Sequence, residues 1–247
     1  AIFKRANYTL RKLENYKTKS DLMKAIADVD AVIVRSDIID QEVVDKASNV
    51  KIVVRAGAGY DNIDLTACTG RGIVAMNTPG QNANAVAELV FAMMLVSARN
   101  NFDGTSGFEL RNRSIALFGF GAVANAVLRL AQGFGMRPYV YTPTNKDAAI
   151  TEAGATPLEK MEDLFKHDYV SVHIPLTESR RGCIDKSLLS ALPKGGTLIN
   201  TARPELMNEE DLLEFLKERP DFRYLSDVAP ANAEEMKDAV GDAYMKR

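Results

Sequence analysis

The sequence predicts an α/β protein built from two doubly wound parallel-sheet domains with a cleft between them, and three observations carry that expectation. Short β-branched runs alternate with longer helical patterns along most of the chain, the order expected of βαβ units. Several runs are apolar at consecutive positions, so both faces would be buried, as in a parallel sheet covered by helices on each side. The character changes at one long apolar stretch, ANAVAELVFAMMLVSARN (83–100), which divides the pattern into a first domain, 1–80, and a second, 81–247.

The elements follow in chain order. A helix-like span at 20–28 leads into AVIVRS (31–36), the first buried run. A second helix, 40–47, separates it from KIVVRA (51–56), and GIVAMN (72–77) completes the first domain. The helix expected over 84–99 carries apolar residues on more than one face, which suits a connector buried between domains or subunits. SIALFGF (114–120) then runs into a helix at 122–133, followed by RPYVYT (137–142) and DYVSVH (168–173). A helix at 186–191, the run GTLINTA (196–202) and a helix at 208–218 complete the series. The same elements could also form a single large sheet. There is no low-complexity tract and no short internal repeat.

Composition narrows the function. A chain of 247 residues, 46% hydrophobic, is long enough for one large domain or two small ones. With 31 basic against 33 acidic residues, no field recruits nucleic acid or an anionic membrane, so an anion must be bound locally. Cys68 and Cys183 lie far apart without metal-ligand spacing, which argues against disulfides or a metal site and suits a reducing compartment. The first residues lack the apolar run of a signal peptide and no stretch of about 18 apolar residues occurs, so the expected location is the cytoplasm.

The most suggestive short pattern is Gly119-x-Gly121-x-x-Ala124, which follows a strand and opens a helix. In a dinucleotide site of the Rossmann type, the first glycine allows the tight turn and the second removes a side chain where pyrophosphate approaches. A small third residue lets helix and strand pack closely. The amides of the helix start, at Ala122 and Val123, then face the phosphates with the dipole behind them. The other reading of the pattern is a purely structural turn. The next strand ends at Thr142 where such sites place Asp or Glu against the ribose, so NAD is expected with NADP not excluded; Lys146, close by, suits either a phosphate or solvent.

Three further stretches carry a resemblance. VVRAGAGYDNIDL (53–65), NTPGQNANAVAEL (77–89) and VHIPLTESRRGCIDKSLLSALPKGGTLINTARPELMNEEDL (172–212) closely resemble the D-isomer-specific 2-hydroxyacid dehydrogenases. Within that family the chain looks most like the short-form D-3-phosphoglycerate dehydrogenases of serine synthesis. The resemblance implies oxidation of D-3-phosphoglycerate to 3-phosphohydroxypyruvate by hydride transfer to the nicotinamide, in a homodimer. It leaves two rivals: a glyoxylate, hydroxypyruvate or other 2-hydroxyacid dehydrogenase, and a catalytically silent dinucleotide-binding scaffold.

The resemblance also assigns residues. Arg203 falls at the catalytic arginine, which binds the substrate carboxylate and carbonyl. Beside it, Pro204 replaces the usual glycine and stiffens the turn. The amides of Gly57, Ala58 and Gly59 fall where the family cradles the substrate carboxylate; by itself GAG is also a plain glycine turn. Arg35 and Arg55, at strand ends, are implied to grip the substrate phosphate, a task suited to the guanidinium fork, although on their own they read as surface ion-pair partners. Asn82 is implied near the substrate or, more plainly, as a cap on the long helix. Thr201 and Ala202 line the nicotinamide side, Asp227 holds the carboxamide unless it is only a loop cap, and His173 and Pro175 lie beside the cofactor without a proton-transfer role. His167 reads as a solvated or helix-capping residue.

The acid–base pair departs from the pattern. The family supplies a histidine tuned by a glutamate; the glutamate position, five residues past Asp227, is Asn232 here, with Glu234 and Glu235 nearby. The histidine, or the lysine some short members use, is expected beyond Arg247, Lys246 being too early to match. The resemblance thus leads one to expect a missing C-terminal return segment of the first domain and a shortened first strand.

Overall fold

In the computed structural model, residues 2–240 and 244–246 are described. The chain divides into two units, Ala1–Gln81 and Asn82–Arg247.

The N-terminal unit holds α1 (Ile2–Arg5), α2 (Lys19–Ile26), β1 (Ala31–Val34), α3 (Gln41–Lys46), β2 (Ile52–Arg55), α4 (Leu65–Gly70) and β3 (Val74–Met76). Its three strands pair in parallel in the order β1-β2-β3. Side-chain caps start the helices: Thr18 and Asp21 form a reciprocal capping box on α2, Asp40 caps α3 and Asp64 caps α4. Because side chains alternate across a strand, Val34 and Val53 point into a core with Leu22, Ile26, Val43, Val44 and Cys68. On the other face, Ile33, Val74 and Met76 are at least half exposed.

The C-terminal unit begins with α5 (Ala83–Ala98). It continues as β4 (Ser114–Phe118), α6 (Ala122–Gly133), β5 (Arg137–Tyr141), α7 (Asp147–Glu152), β6 (Thr156–Pro157), β7 (Tyr169–Val172) and α8 (Lys186–Leu189). β8 (Thr197–Asn200), α9 (Glu209–Glu218), β9 (Arg223–Ser226), α10 (Ala233–Val240) and β10 (Tyr244–Lys246) complete it. All seven strands are parallel, in the spatial order β10-β9-β8-β7-β4-β5-β6. The chain winds outward from β4 through β5 to β6, then crosses back to β7 and winds the other way, so the order reverses between β4 and β7. Such a reversal leaves a crevice at the carboxyl ends of the two strands, where doubly wound sheets bind ligands.

The buried runs are explained by this position. Every residue of β4, β7 and β8 is buried, with Ala116, Phe118, Val170, Val172 and Leu198 facing one core beneath α8 and α9. Ile115, Leu117, Tyr169 and Ile199 face the other, beneath α5 and α6. α5 packs on α6 through Ala87, Val90, Phe91, Met94 and Ala98, while Val86, Leu89, Leu95 and Val96 remain partly exposed, the two-faced apolar character expected of it. Among the described residues no helix is long and apolar enough to cross a membrane.

Candidate functional site

In a parallel sheet every strand ends at the same edge, so residues that follow strands collect there whatever their separation in sequence. The residues after β4 (Gly119, Gly121), β5 (Thr142), β7 (His173, Pro175), β8 (Thr201, Ala202, Arg203) and β9 (Asp227) all lie along the carboxyl edge of the seven-stranded sheet. Asp227 is partly buried there.

Gly119 makes the turn possible. It has φ +111°, its amide donates to the carbonyl of Tyr141 at 2.8 Å, and a Cβ on it would lie 2.6 Å from the main-chain oxygen of His173. Gly121 is different: φ is −98° and nothing lies within 4 Å of where its Cβ would be. Its missing side chain therefore leaves open room, not relief of a clash. Ala124 is fully buried, as the close packing of helix on strand requires. Five helices, α2, α3, α4, α8 and α9, are capped by a side chain; α5, α6 and α7 are not, and α6 starts at Gly121. Its first amides at Ala122 and Val123 precede the first helical bond, Asn125 N–H to Gly121 O, and make no backbone bond among the described residues.

His173 bridges the point where the strand order reverses. Its amide donates to the Phe118 carbonyl at 2.8 Å, and its Nε2 lies 2.9 Å from Ser171 Oγ. Desolvation pushes the imidazole pKa down to about 3, so the ring is neutral at physiological pH. An unfolded chain would titrate this histidine near its ordinary value, so as pH falls from the unfolded value toward 3 the unfolded state takes up a proton that the folded state refuses, and stability drops. His173→Gln, which keeps a group able to bond Ser171, should flatten that loss by up to about 1.4 kcal/mol per pH unit. Urea unfolding of both proteins between pH 4 and 7 measures it; parallel curves would refute the assignment.

Arg203 is positioned by a residue that sequence reasoning passed over. Asn200, the last residue of β8 and 2% exposed, donates from Nδ2 to the Arg203 carbonyl at 2.9 Å, and its Oδ1 accepts from the Ala202 amide at 3.0 Å. One buried carboxamide thus fixes both ends of the 202–203 segment, and the signal available was a lone polar residue closing an apolar strand. Pro204 sits at the first position of a short 3₁₀ turn, 204–206, where its fixed φ is already suitable. The hydroxyl of Thr201 is buried with no hydrogen-bond partner among the described residues. An orphaned hydroxyl, uncapped helix amides and the open room at Gly121 together fit a polar, phosphate-bearing dinucleotide lying along this edge.

In the N-terminal unit the expected anion residues also share one edge. Val34 is paired with Arg55 in the parallel register, so Arg35 and Arg55 both stand at the carboxyl ends of adjacent strands. Arg35 is exposed. The guanidinium of Arg55 folds over Gly57 so closely that a Cβ there would overlap Nη1, and Arg55 Nε is buried without a partner. A side chain at 57 would therefore displace the guanidinium from this position, which a flexible arginine can accommodate by moving. The Gly57 amide is already used, donating to the Arg55 carbonyl at 2.9 Å, which corrects the expectation that it helps cradle an anion. The carbonyls of Gly57 and Ala58 are tied back by Thr78 N–H and Asn77 Nδ2, and the amides of Ala58 and Gly59 make no backbone bond among the described residues.

Other expectations are corrected. Asn82 precedes α5 but makes no side-chain cap bond and is exposed. His167 is not solvated: its ring stacks on Tyr139 with centroids 4.0 Å apart, and burial lowers its pKa. Asn232 ties two helices together, its amide and Nδ2 each donating to Glu209 at 3.3 Å. The side chain of Lys246 and everything beyond it lie outside the described residues.

Comparison with known proteins adds the context. The family model for "D-isomer specific 2-hydroxyacid dehydrogenase, NAD binding domain" matches residues 83–240. A hydroxypyruvate reductase of Thermotoga maritima is 35% identical over 213 residues, 79% of this chain and 68% of the relative. A D-3-phosphoglycerate dehydrogenase of Methanocaldococcus jannaschii is 32% identical over 216 residues, 81% of this chain but 41% of the relative. Among solved structures, the NAD+-bound 3-phosphoglycerate dehydrogenase of Entamoeba histolytica superposes with a TM-score of 0.90 at 40% identity, covering all of this chain and 79% of that one.

Proposed function

The chain belongs to the D-isomer-specific 2-hydroxyacid dehydrogenase family, and on that premise we propose that it oxidises D-3-phosphoglycerate to 3-phosphohydroxypyruvate with NAD. The observation that supports the dehydrogenase reading is the carboxyl edge of the seven-stranded sheet, where a glycine turn and uncapped helix amides stand at the reversal of strand order, with the Thr201 hydroxyl and Arg203 following β8 along the same edge.

The amides of Ala122 and Val123 would hold the pyrophosphate, and Thr201, Ala202 and Asp227 would orient the nicotinamide. When bound, NAD supplies the acceptor for the hydride leaving the second carbon of the substrate. The Arg203 guanidinium holds the carboxylate and the oxygen on that carbon, stabilising the charge that shifts as the alcohol becomes a ketone. His173, neutral and bonded to Ser171, is too weak a base to take the hydroxyl proton and would act as a wall of the cofactor site; the proton would go to the histidine or lysine that the family resemblance implies for this step.

The phosphate is assigned to Arg35 and Arg55. In support, Arg55 is half-buried over Gly57, and its Nε is buried with no hydrogen-bond partner among the described residues. The competing reading, reduction of hydroxypyruvate without a phosphate, is favoured by the 35% identity to the Thermotoga enzyme.

Substrate competition decides between them. With 3-phosphohydroxypyruvate and NADH, Arg55→Ala should raise KM about 10- to 100-fold, the worth of one or two charge-assisted bonds, and leave hydroxypyruvate turnover nearly unchanged. Equal effects on both substrates, or none on either, would favour the hydroxypyruvate reading. NADH binding with no turnover of either ketoacid would leave a dinucleotide-binding scaffold, in keeping with Asn232 at the family's glutamate position.

A further inference from the structure

We propose that Asn77 is a positioning residue for the ketoacid: by holding the Ala58 carbonyl it sets the direction of the Gly59 amide, which donates to the substrate carboxylate. The proposal rests on the dehydrogenase reading above.

β2 and β3 pair in parallel as far as Val54 and Met76, and the segments that follow them stay joined. The Thr78 amide donates to the Gly57 carbonyl at 2.9 Å, and Asn77 Nδ2 donates to the Ala58 carbonyl at 2.7 Å. In a planar trans peptide the N–H points opposite to the C=O of the same unit. Two successive carbonyls held toward the end of β3 therefore turn the next two amides, those of Ala58 and Gly59, to the opposite side. Neither amide makes a backbone bond among the described residues, and both residues are only half-buried. Neighbouring N–H groups on one side make a small anion-binding concavity.

The two bonds serve different ends. The Thr78 bond is main chain to main chain and by itself ties the loop after β2 to the loop after β3. What the Asn77 bond adds is the orientation of one peptide plane, Ala58–Gly59. That plane is soft without it: glycine accepts either sign of φ, so the peptide can turn over and send the Gly59 N–H toward β3. Asn77 thus governs the Gly59 amide, while the Ala58 amide is set independently by Thr78.

The test is titration of the whole chain, saturated with NAD+ so that no hydride is available, with glyoxylate and with 3-phosphohydroxypyruvate. Wild type, Asn77→Ala and the isosteric Asn77→Asp are compared, calorimetry giving Kd and 15N–1H spectra following the amides of Ala58 and Gly59. In wild type both amides should shift on adding glyoxylate. In either variant the Gly59 shift should be lost and the Ala58 shift kept, and Kd should rise about tenfold to a hundredfold for both ketoacids alike, the worth of one hydrogen bond to a charged group. NAD+ affinity and Tm should stay close to wild type. Variants that bind both ketoacids as wild type does, or that lose both amide shifts in step with Tm, would overturn this proposal and make Asn77 a loop staple, with the dehydrogenase reading still standing. So would a loss confined to 3-phosphohydroxypyruvate, or wild-type binding that moves neither amide. Failure of both ketoacids to bind the wild-type chain loaded with NAD+ would overturn the dehydrogenase reading and this proposal together.

Discussion

Replacing Gly119 with alanine should destabilise the C-terminal unit by about 2–4 kcal/mol, whereas the same change at Gly121 should leave stability untouched and fall entirely on cofactor affinity. At Gly119 the backbone has φ +111° and the new methyl would meet the His173 carbonyl at 2.6 Å, a main-chain atom already held by the sheet. Neither the turn nor the strand can give way cheaply. At Gly121 the backbone is extended, at φ −98° and ψ −167°, and the methyl meets nothing within 4 Å. It does enter the room where the pyrophosphate must come close to the amides of α6, and losing two such bonds costs about tenfold or more in NADH affinity. Differential scanning calorimetry paired with NADH titration separates the two. Equal losses of Tm in both variants, or full NADH affinity in Gly121→Ala, would show that the open space serves packing and not a ligand.

Arg203→Lys should lower kcat/KM about 10²- to 10³-fold with Tm and NADH affinity close to wild type. The loop that carries Arg203 is shaped by Asn200, whose carboxamide bonds the backbone at residues 202 and 203; the guanidinium adds a bond from Nη1 to the Ala202 carbonyl at 2.9 Å, so exchanging the side chain gives up that local bond and keeps the two that shape the loop. Lysine keeps the charge and loses the planar fork that holds a carboxylate and a neighbouring oxygen together. Steady-state kinetics on the preferred ketoacid, with NADH titrated separately, checks the split. A defect confined to NADH binding, or a Tm that falls in step with activity, would remove Arg203 from the substrate and make it a structural residue.

Much of the fold was legible because buried parallel strands announce themselves. SIALF, YVSV and TLIN are apolar on both faces, and both faces are covered. The six expected helices all occur, with small changes at their ends. Some short elements were not: α4 and α7 have six residues each and β6 has two, although α3 and α8 are as short and were expected. β9 was seen only as the strand before Asp227. Position was legible wherever backbone geometry demands a residue type, as at Gly119, or where a residue follows a strand, as Arg203 and Thr142 do at the carboxyl edge. Role was illegible where the decisive contact comes from elsewhere in the chain. His167 finds Tyr139 across the sheet, and the Gly57 amide is claimed by the carbonyl of Arg55, a local turn that the letters GAG do not specify. Asn200 was quoted within its motif and not recognised, because its role depends on being buried.

The reversal of strand order also sets a sequence of events in time. In the N-terminal unit each strand pairs with the next one along the chain, but β4 must wait for β7: Asp168, just before β7, closes onto Ser114 from 54 residues away through its carboxylate. Contacts of such separation are slow to form, because loop closure precedes any gain from pairing. The crevice between β4 and β7 therefore cannot exist until the most distant pairing is made, and capture of a dinucleotide marks the moment at which that pairing is complete.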